Sequence, residues 1–197
     1  MPIGVEHDVA HNIILTGLRA TGKTSLGRLL AKRLRRPFFD TDLLIGQQVG
    51  EPIQAYVARR GWDAFRDVEH RVICEVARQR EAVISTGGGA LTYARNVTVL
   101  KPTGVIVLLA ADPAILARRL EHSYARPPLT GEKSLEAEMR TLWREREPLY
   151  RKVCDVVFRV DPETPDAGAD LRRKIAALLA ILRQYIQTHP GDASRAP

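Results

Sequence analysis

The chain has 197 residues, 45% of them hydrophobic and 27% charged, with a formal net charge of +7. That is material for one apolar core, and no uninterrupted apolar stretch approaches the roughly 18–20 residues a membrane span needs. The basic excess falls largely on helices beside acidic partners, as in Arg144-Glu145-Arg146-Glu147, with no basic run interleaved with aromatics, so anionic small molecules rather than nucleic acid are the expected partners.

Met1 to His11 carries Glu6, His7 and Asp8 and no charged-then-apolar signal layout, so it reads as a flexible N-terminus of a cytoplasmic protein. Asn12 to Thr16 is a short β-branched run ending in glycine, hence a buried strand. Lys23 to Arg35 repeats Leu26, Leu29, Leu30 and Leu34 at helical spacing. Pro37 to Asp40 reads as a second strand. Two or three helices follow between Leu43 and Arg80, the last amphipathic through Phe65, Val68, Val72, Ile73 and Val76. Ala82 to Ser85 and Gly104 to Leu109 are the third and fourth strands. Asp112 caps a helix through Glu121, and Ser134 to Tyr150 is helical. Asp155 to Val160 is the fifth strand, and Pro165 to Gln187 is a closing helix. Residues 188–197 are polar and read as a disordered tail. Cys74 and Cys154, the two cysteines, lie in apolar-patterned segments and are read as buried thiols. Short apolar strands separated by helices predict a single α/β domain over residues 12–187, a five-stranded parallel sheet with helices on both faces.

Gly17-Leu18-Arg19-Ala20-Thr21-Gly22-Lys23-Thr24 matches G-x-x-x-x-G-K-[ST] between the first strand and the first helix, the context that gives the motif its meaning. Backbone N–H groups can curl around phosphate there, and the helix adds its positive end. Lys23 is expected on the β- and γ-phosphates and the Thr24 hydroxyl on Mg²⁺. Asp40-Thr41-Asp42 follows the second strand at the carboxyl edge of the sheet, where doubly wound folds bind ligands. On an extended chain those two carboxylates point in opposite directions, one toward a metal shell and one toward an acceptor. The alternative is that they cap the next helix. Thr86-Gly87-Gly88-Gly89 ends the third strand at the same edge, and consecutive glycines there predict close backbone approach to a substrate.

Taken in order, these motifs resemble the shikimate kinase family, within the nucleoside-monophosphate-kinase-like P-loop fold, from about Asn12 to Leu182. Phe38-Phe39-Asp40-Thr41-Asp42 looks like the family's F-x-D-x-D element, and Phe65-Arg66 with Glu69 like its F-R-x-x-E signature. Arg126-Pro127 resembles the R-P of its mobile lid, and Arg146-Glu147-Pro148-Leu149-Tyr150 its R-x-P-L-Y helix. The resemblance implies a P-loop NTPase fold with a substrate-binding helical subregion over about residues 42–80 and a lid over about 123–133. It implies ATP with Mg²⁺ and transfer to the 3-hydroxyl of shikimate, a carboxylate bearing hydroxyls. Nucleotide contacts would come from Gly17, Ala20, Thr21, Gly22, Lys23, Thr24, Ser25, Arg119, Arg126 and the loop around Thr164 and Pro165. Arg66 and Arg146 would hold the substrate carboxylate, and Gly87, Gly88 and Gly89 would line the ring. Asp42 would orient or deprotonate the attacking hydroxyl, Glu69 would orient Arg66, and Asp40 would reach Mg²⁺ through water. Lys23, Asp42 and Arg126 are the expected catalytic set. Trp62 and Trp143 are read as packing residues and His70 as a helix-surface group. Departures from the family pattern are Ala20, Val57, Trp62 after Gly61, and Pro128. A gluconate kinase, or a non-catalytic sensing domain of the same fold, is the alternative, and the protein is expected to act as a monomer.

Overall fold

A strand that is apolar on both of its faces is stable only between two layers, and the central run Asn12–Thr16 is buried along its whole length. In the computed structural model, which describes residues 11–121, 134–161 and 166–189, this run is β1, at the centre of a five-stranded sheet. The other strands are β2 (Phe38–Asp40), β3 (Val83–Ser85), β4 (Gly104–Ala110) and β5 (Val156–Arg159), in the order β2-β3-β1-β4-β5. All pairings are parallel, with Leu15 and Asp40 both opposite Ser85. The carboxyl ends of β1, β2 and β3 are therefore level, and whatever follows each of them emerges side by side.

Side chains alternate along β1. Ile13 and Leu15 face one layer, formed by α1 (Lys23–Leu34), α5 (Pro113–Glu121), α6 (Leu135–Val153) and α7 (Ala167–Thr188). Ile14 faces the other, formed by α3 (Ile53–Ala77) and α4 (Ala94–Leu100). A smaller apolar cluster of Ile45, Phe65, Val68 and Val72 fastens α2 (Thr41–Val49) to α3. The expected sheet and its two helical layers are thus present.

Four local expectations change. The strand ends at Asp40, whose backbone is extended, and Thr41 already opens α2, so Asp42 sits on a helix and the two carboxylates do not alternate along one extended chain. The stretch from Ala90 to Thr103, for which no element was predicted, holds α4 between two 3₁₀ turns. Helix α7 runs through Thr188, one residue into the expected tail. Cys74 and Cys154 are half-buried rather than buried, and both are free thiols. The predicted lid with Arg126, the loop at Thr164 and Pro165, residues 1–10 and residues 190–197 lie outside the described residues. Among the described residues, no helix is long and apolar enough to cross a membrane.

Candidate active site

The loop after β1 must reverse direction within a few residues, and its backbone shows how. Gly17 has φ 135°, and a Cβ there would run into the Leu109 carbonyl of β4. Ala20 and Gly22 are also left-handed, at φ 63° and 86°; for alanine this costs about 1–2 kcal/mol. The turn is closed by the Thr21 hydroxyl, which donates to the Leu18 carbonyl at 2.8 Å. Gly22 caps α1 without a side-chain hydrogen bond, and no acidic residue occupies the first turn. The N–H groups that open α1 therefore have no acidic side chain of their own first turn against them, and with the positive end of the helix they form an anion cradle. The Lys23 ammonium reaches back over this loop, donating to the carbonyls of Gly17 at 2.9 Å and Leu18 at 2.8 Å. Arg119 of α5 donates to the Ala20 carbonyl at 2.8 Å. The structure therefore places it as a brace of this loop, whereas the resemblance implies a nucleotide contact for it. Ser25 lies exposed in the first turn of α1.

Asp40 combines the two readings that the sequence left open. Its Oδ1 accepts from the N–H groups of Asp42 and Leu43, capping α2, while its Oδ2 accepts from the Thr24 hydroxyl at 2.6 Å. Because Thr24 donates its proton to Asp40, its oxygen lone pairs turn outward beside the cradle. Two hard oxygen donors in this position fit Mg²⁺, which is usually completed by water and phosphate. Among the described residues, no group of three or more His, Cys, Asp or Glu side chains gathers to hold a metal alone.

A cavity of about 830 Å³ opens beside the cradle, between α2, α3, α6 and the glycine loop, and Asp42, Arg66, Gly87, Gly88, Gly89 and Arg146 all line it. The need for the glycines is space rather than turn geometry, since none of the three has positive φ. A Cβ on Gly87 would lie 2.6 Å from the Asp42 Oδ1, and one on Gly89 would lie 3.1 Å from the Arg66 Nη2. One on Gly88 would lie 3.3 Å from the Gly17 carbonyl oxygen. Each glycine makes room for a different functional group, and Gly88 is where the acceptor cavity meets the phosphate loop. The Gly87 N–H is taken by the Thr41 hydroxyl at 2.9 Å, so Gly87 serves the cavity by its small size and not as a donor.

Arg66 owes its aim to Gly61, whose φ of 82° and ψ of 168° interrupt α3. Beyond that kink, Glu69 is buried one turn on and takes Arg66 Nη1 on both oxygens at 2.9 Å. The guanidinium carbon also sits 4.7 Å from the ring centroid of Tyr93, 5.0 Å from Phe65 and 5.3 Å from Trp62. Such contacts add about 0.5–1 kcal/mol each at exposed sites. Trp62 is therefore not a packing residue. It is 49% exposed, lines the cavity and meets Phe65 edge-on, a platform under Arg66. Trp143, by contrast, packs on the core as expected. His70 ties α3 to α4 through Asn96 Oδ1 at 2.8 Å, away from the cavity. On the opposite wall, Arg146 hydrogen-bonds the Tyr150 phenol, whose hydroxyl donates to the Gly88 carbonyl. Burial pushes the Tyr150 hydroxyl above its usual range, against the pull of Arg146, which keeps it a donor.

Two residues that sequence reasoning passed over also belong here. Arg19, at an unspecified position of the P-loop motif, lines the cavity and forms an ion pair with Glu138 of α6. Neither carries a local signal, being separated by 119 residues.

Burial pushes the Glu69 carboxyl above its usual 4.5; Arg66 opposes the rise and Asp42 adds to it. The native protein thus holds this proton more tightly than the unfolded chain. The stability contributed by this group is full below the unfolded value and is lost as pH rises through the raised native value. Urea midpoints measured from about pH 4 to pH 8 should show that decline in the wild-type protein and a flatter curve in Glu69→Gln. Identical slopes in the two proteins would contradict it.

Comparison with known proteins bears on the same residues. A family model described as "Shikimate kinase" matches residues 19–182. The shikimate kinase of Syntrophus aciditrophicus is 43% identical over 158 residues, covering 75% of this chain and 81% of its own. That of Nitratidesulfovibrio vulgaris is 40% identical over 173 residues, covering 86% of this chain and 95% of its own. Among solved structures, the shikimate kinase of Acinetobacter baumannii in complex with shikimate superposes with a TM-score of 0.77 at 33% identity, covering 90% of this chain and 96% of that one.

Proposed function

Because the chain belongs to the shikimate kinase family, we propose that it transfers the γ-phosphoryl group of ATP to the 3-hydroxyl of shikimate, giving shikimate 3-phosphate and ADP. The observation that carries this reading is the junction at Gly88. There an anion cradle and a cavity flanked by two guanidinium groups and a carboxylate meet across backbone contact. A hydroxylated carboxylate has one group for each wall. Arg66 and Arg146 take its carboxylate, for which the planar guanidinium fork is suited. Support comes from the buried Arg66 Nε, which has no hydrogen-bond partner among the described residues. Asp42 accepts from the substrate hydroxyls and orients or deprotonates the attacking one. The relatives and the shikimate-bound neighbour favour this acceptor over gluconate and over a non-catalytic role.

On the nucleotide side, the backbone from Gly17 to Thr24 cradles the phosphates and Lys23 turns from the loop carbonyls to the β- and γ-phosphates. Thr24, with Asp40 behind it, would hold Mg²⁺. Bound there, the ion would offset the negative charge of the phosphates. Phosphoryl transfer has a loose, charge-rich transition state, so positioning and cation placement do most of the catalysis. Arg126 and the segment 123–133, with Pro165, complete the nucleotide site in this proposal as the family resemblance implies. In this reading the protein acts as a monomer in the cytoplasm on small molecules, without nucleic-acid or membrane partners, as the sequence leads one to expect.

A coupled ADP-release assay with Mg²⁺-ATP and shikimate, gluconate or nucleoside monophosphates tests the reading. Shikimate alone is expected to stimulate release. Stimulation by gluconate would move the assignment to that acceptor, and stimulation by none would favour a ligand-sensing domain.

A further inference from the structure

The P-loop motif leaves the position of Arg19 open to any residue, yet this side chain is only 9% exposed and is paired with Glu138, itself 2% exposed. Burying both charges is an odd way to gain stability. A pair of apolar side chains of similar volume does as well or better in most interiors. What the ion pair has and an apolar contact lacks is direction: a guanidinium and a carboxylate meet in few geometries and do not slide.

The partners explain why direction matters. Glu138 lies in the first turn of α6. Farther along the same helix, Arg146 lines the acceptor cavity and Tyr150 donates to the Gly88 carbonyl. Met139, Leu142 and Tyr150 are buried against the core between and beyond these contacts, so the helix is held along its length. One helix thus touches the phosphate loop at Arg19, lines the acceptor cavity with Arg146 and reaches the glycine loop through Tyr150. The Arg19 backbone N–H lies where the two sites join, with its nitrogen 3.5 Å from the position of a Cβ on Gly88.

We propose that the Arg19–Glu138 ion pair is a positioning device for phosphoryl transfer, fixing the phosphate loop against α6 and so setting the line from the γ-phosphate to the acceptor hydroxyl. Both residues act through others: Arg19 through the loop backbone, and Glu138 through Arg19. The inference rests on the acceptor assignment made above. A misplacement of about 1 Å along that line is enough to lower the rate by about 10²-fold. Binding of ATP alone would change little, because the pair lies on the acceptor side of the phosphate loop, where Arg19 lines the cavity.

The test separates positioning from bulk stability. Arg19→Met and Glu138→Gln each break the buried ion pair from one side and are expected to melt lower than the wild-type protein. The double variant Arg19→Met/Glu138→Leu removes both charges and is expected to recover the melting temperature. Its kcat for shikimate should nevertheless stay down by about tenfold or more, with KM for ATP within about threefold of wild type. A kcat that recovers together with the melting temperature overturns the proposal and leaves the pair a structural contact. If the double variant does not fold, Arg19→Lys with Glu138→Asp keeps both charges and changes only the geometry. A lowered kcat at near-wild-type stability then supports positioning, and an unchanged kcat overturns it. The wild-type protein in the same assay distinguishes the two kinds of failure. No shikimate-dependent ADP release from it overturns the acceptor assignment and the pair's role with it. Normal wild-type turnover with unaltered variants overturns the pair's role alone.

Discussion

Asp42→Asn is expected to lower kcat for shikimate by roughly 10²–10⁴-fold, the range spanned by losses of a positioned acid–base group. The substitution preserves shape, so the Gly87 contact and the cavity wall remain. It removes the negative charge and one proton-accepting oxygen from the cavity wall. The carboxylate also sits in the first turn of α2, where a charge contributes about 0.3–1 kcal/mol to the helix. A melting temperature within a few degrees of wild type is therefore expected alongside the collapse in rate. Steady-state kinetics with saturating ATP, together with a thermal melt, measure both quantities. Turnover within about threefold of wild type would remove Asp42 from the catalytic set.

Lys23→Ala is expected to cut turnover by about 10²–10³-fold or more, because an ammonium aimed at the transferring group is among the strongest sources of transition-state stabilisation. Here the lysine has a second duty that the motif does not announce. Its hydrogen bonds to the Gly17 and Leu18 carbonyls brace the loop that it serves. Their loss should lower the melting temperature modestly, at about 0.5–1.5 kcal/mol for each hydrogen bond. The far-ultraviolet circular dichroism should stay unchanged, since the sheet does not depend on them. Wild-type turnover in this variant would sink phosphoryl transfer at this loop altogether.

The sheet was legible in the sequence because its central strands β3, β1 and β4 are buried on both faces and carry the signal locally. Asn12–Thr16 is such a case, its observed limits matching the expected ones. Helix α4 was not legible, since Asn96, Val97, Thr98 and Val99 are weak helix formers and form a helix through packing on α3. The Gly61 kink was equally hidden, because an apolar period continues on both sides of it. At the site, the P-loop and the glycine run announced themselves through backbone demands. The double duty of Asp40 did not, since capping and metal approach call for the same residue at the same place. Trp62 was misread because an aromatic at helical spacing is usually core, and only the fold reveals that this one supports a guanidinium. Ion pairs between distant segments, such as Arg19 with Glu138, leave no pattern in a single chain.

The three contacts that α6 makes also bear on which changes of length this protein can accept. An α-helix turns by about 100° and rises about 1.5 Å for each residue. One residue inserted between Glu138 and Arg146 would leave the first anchored and rotate everything after it by more than a quarter of a revolution. Arg146 would then leave the cavity, and Tyr150 would leave the Gly88 carbonyl. Substitutions on the outer face of this helix, at Arg140 or Arg144, are free of that constraint. The spacing from Glu138 to Tyr150 behaves as a fixed phase, and insertions and deletions in descendants of this chain should accumulate outside it.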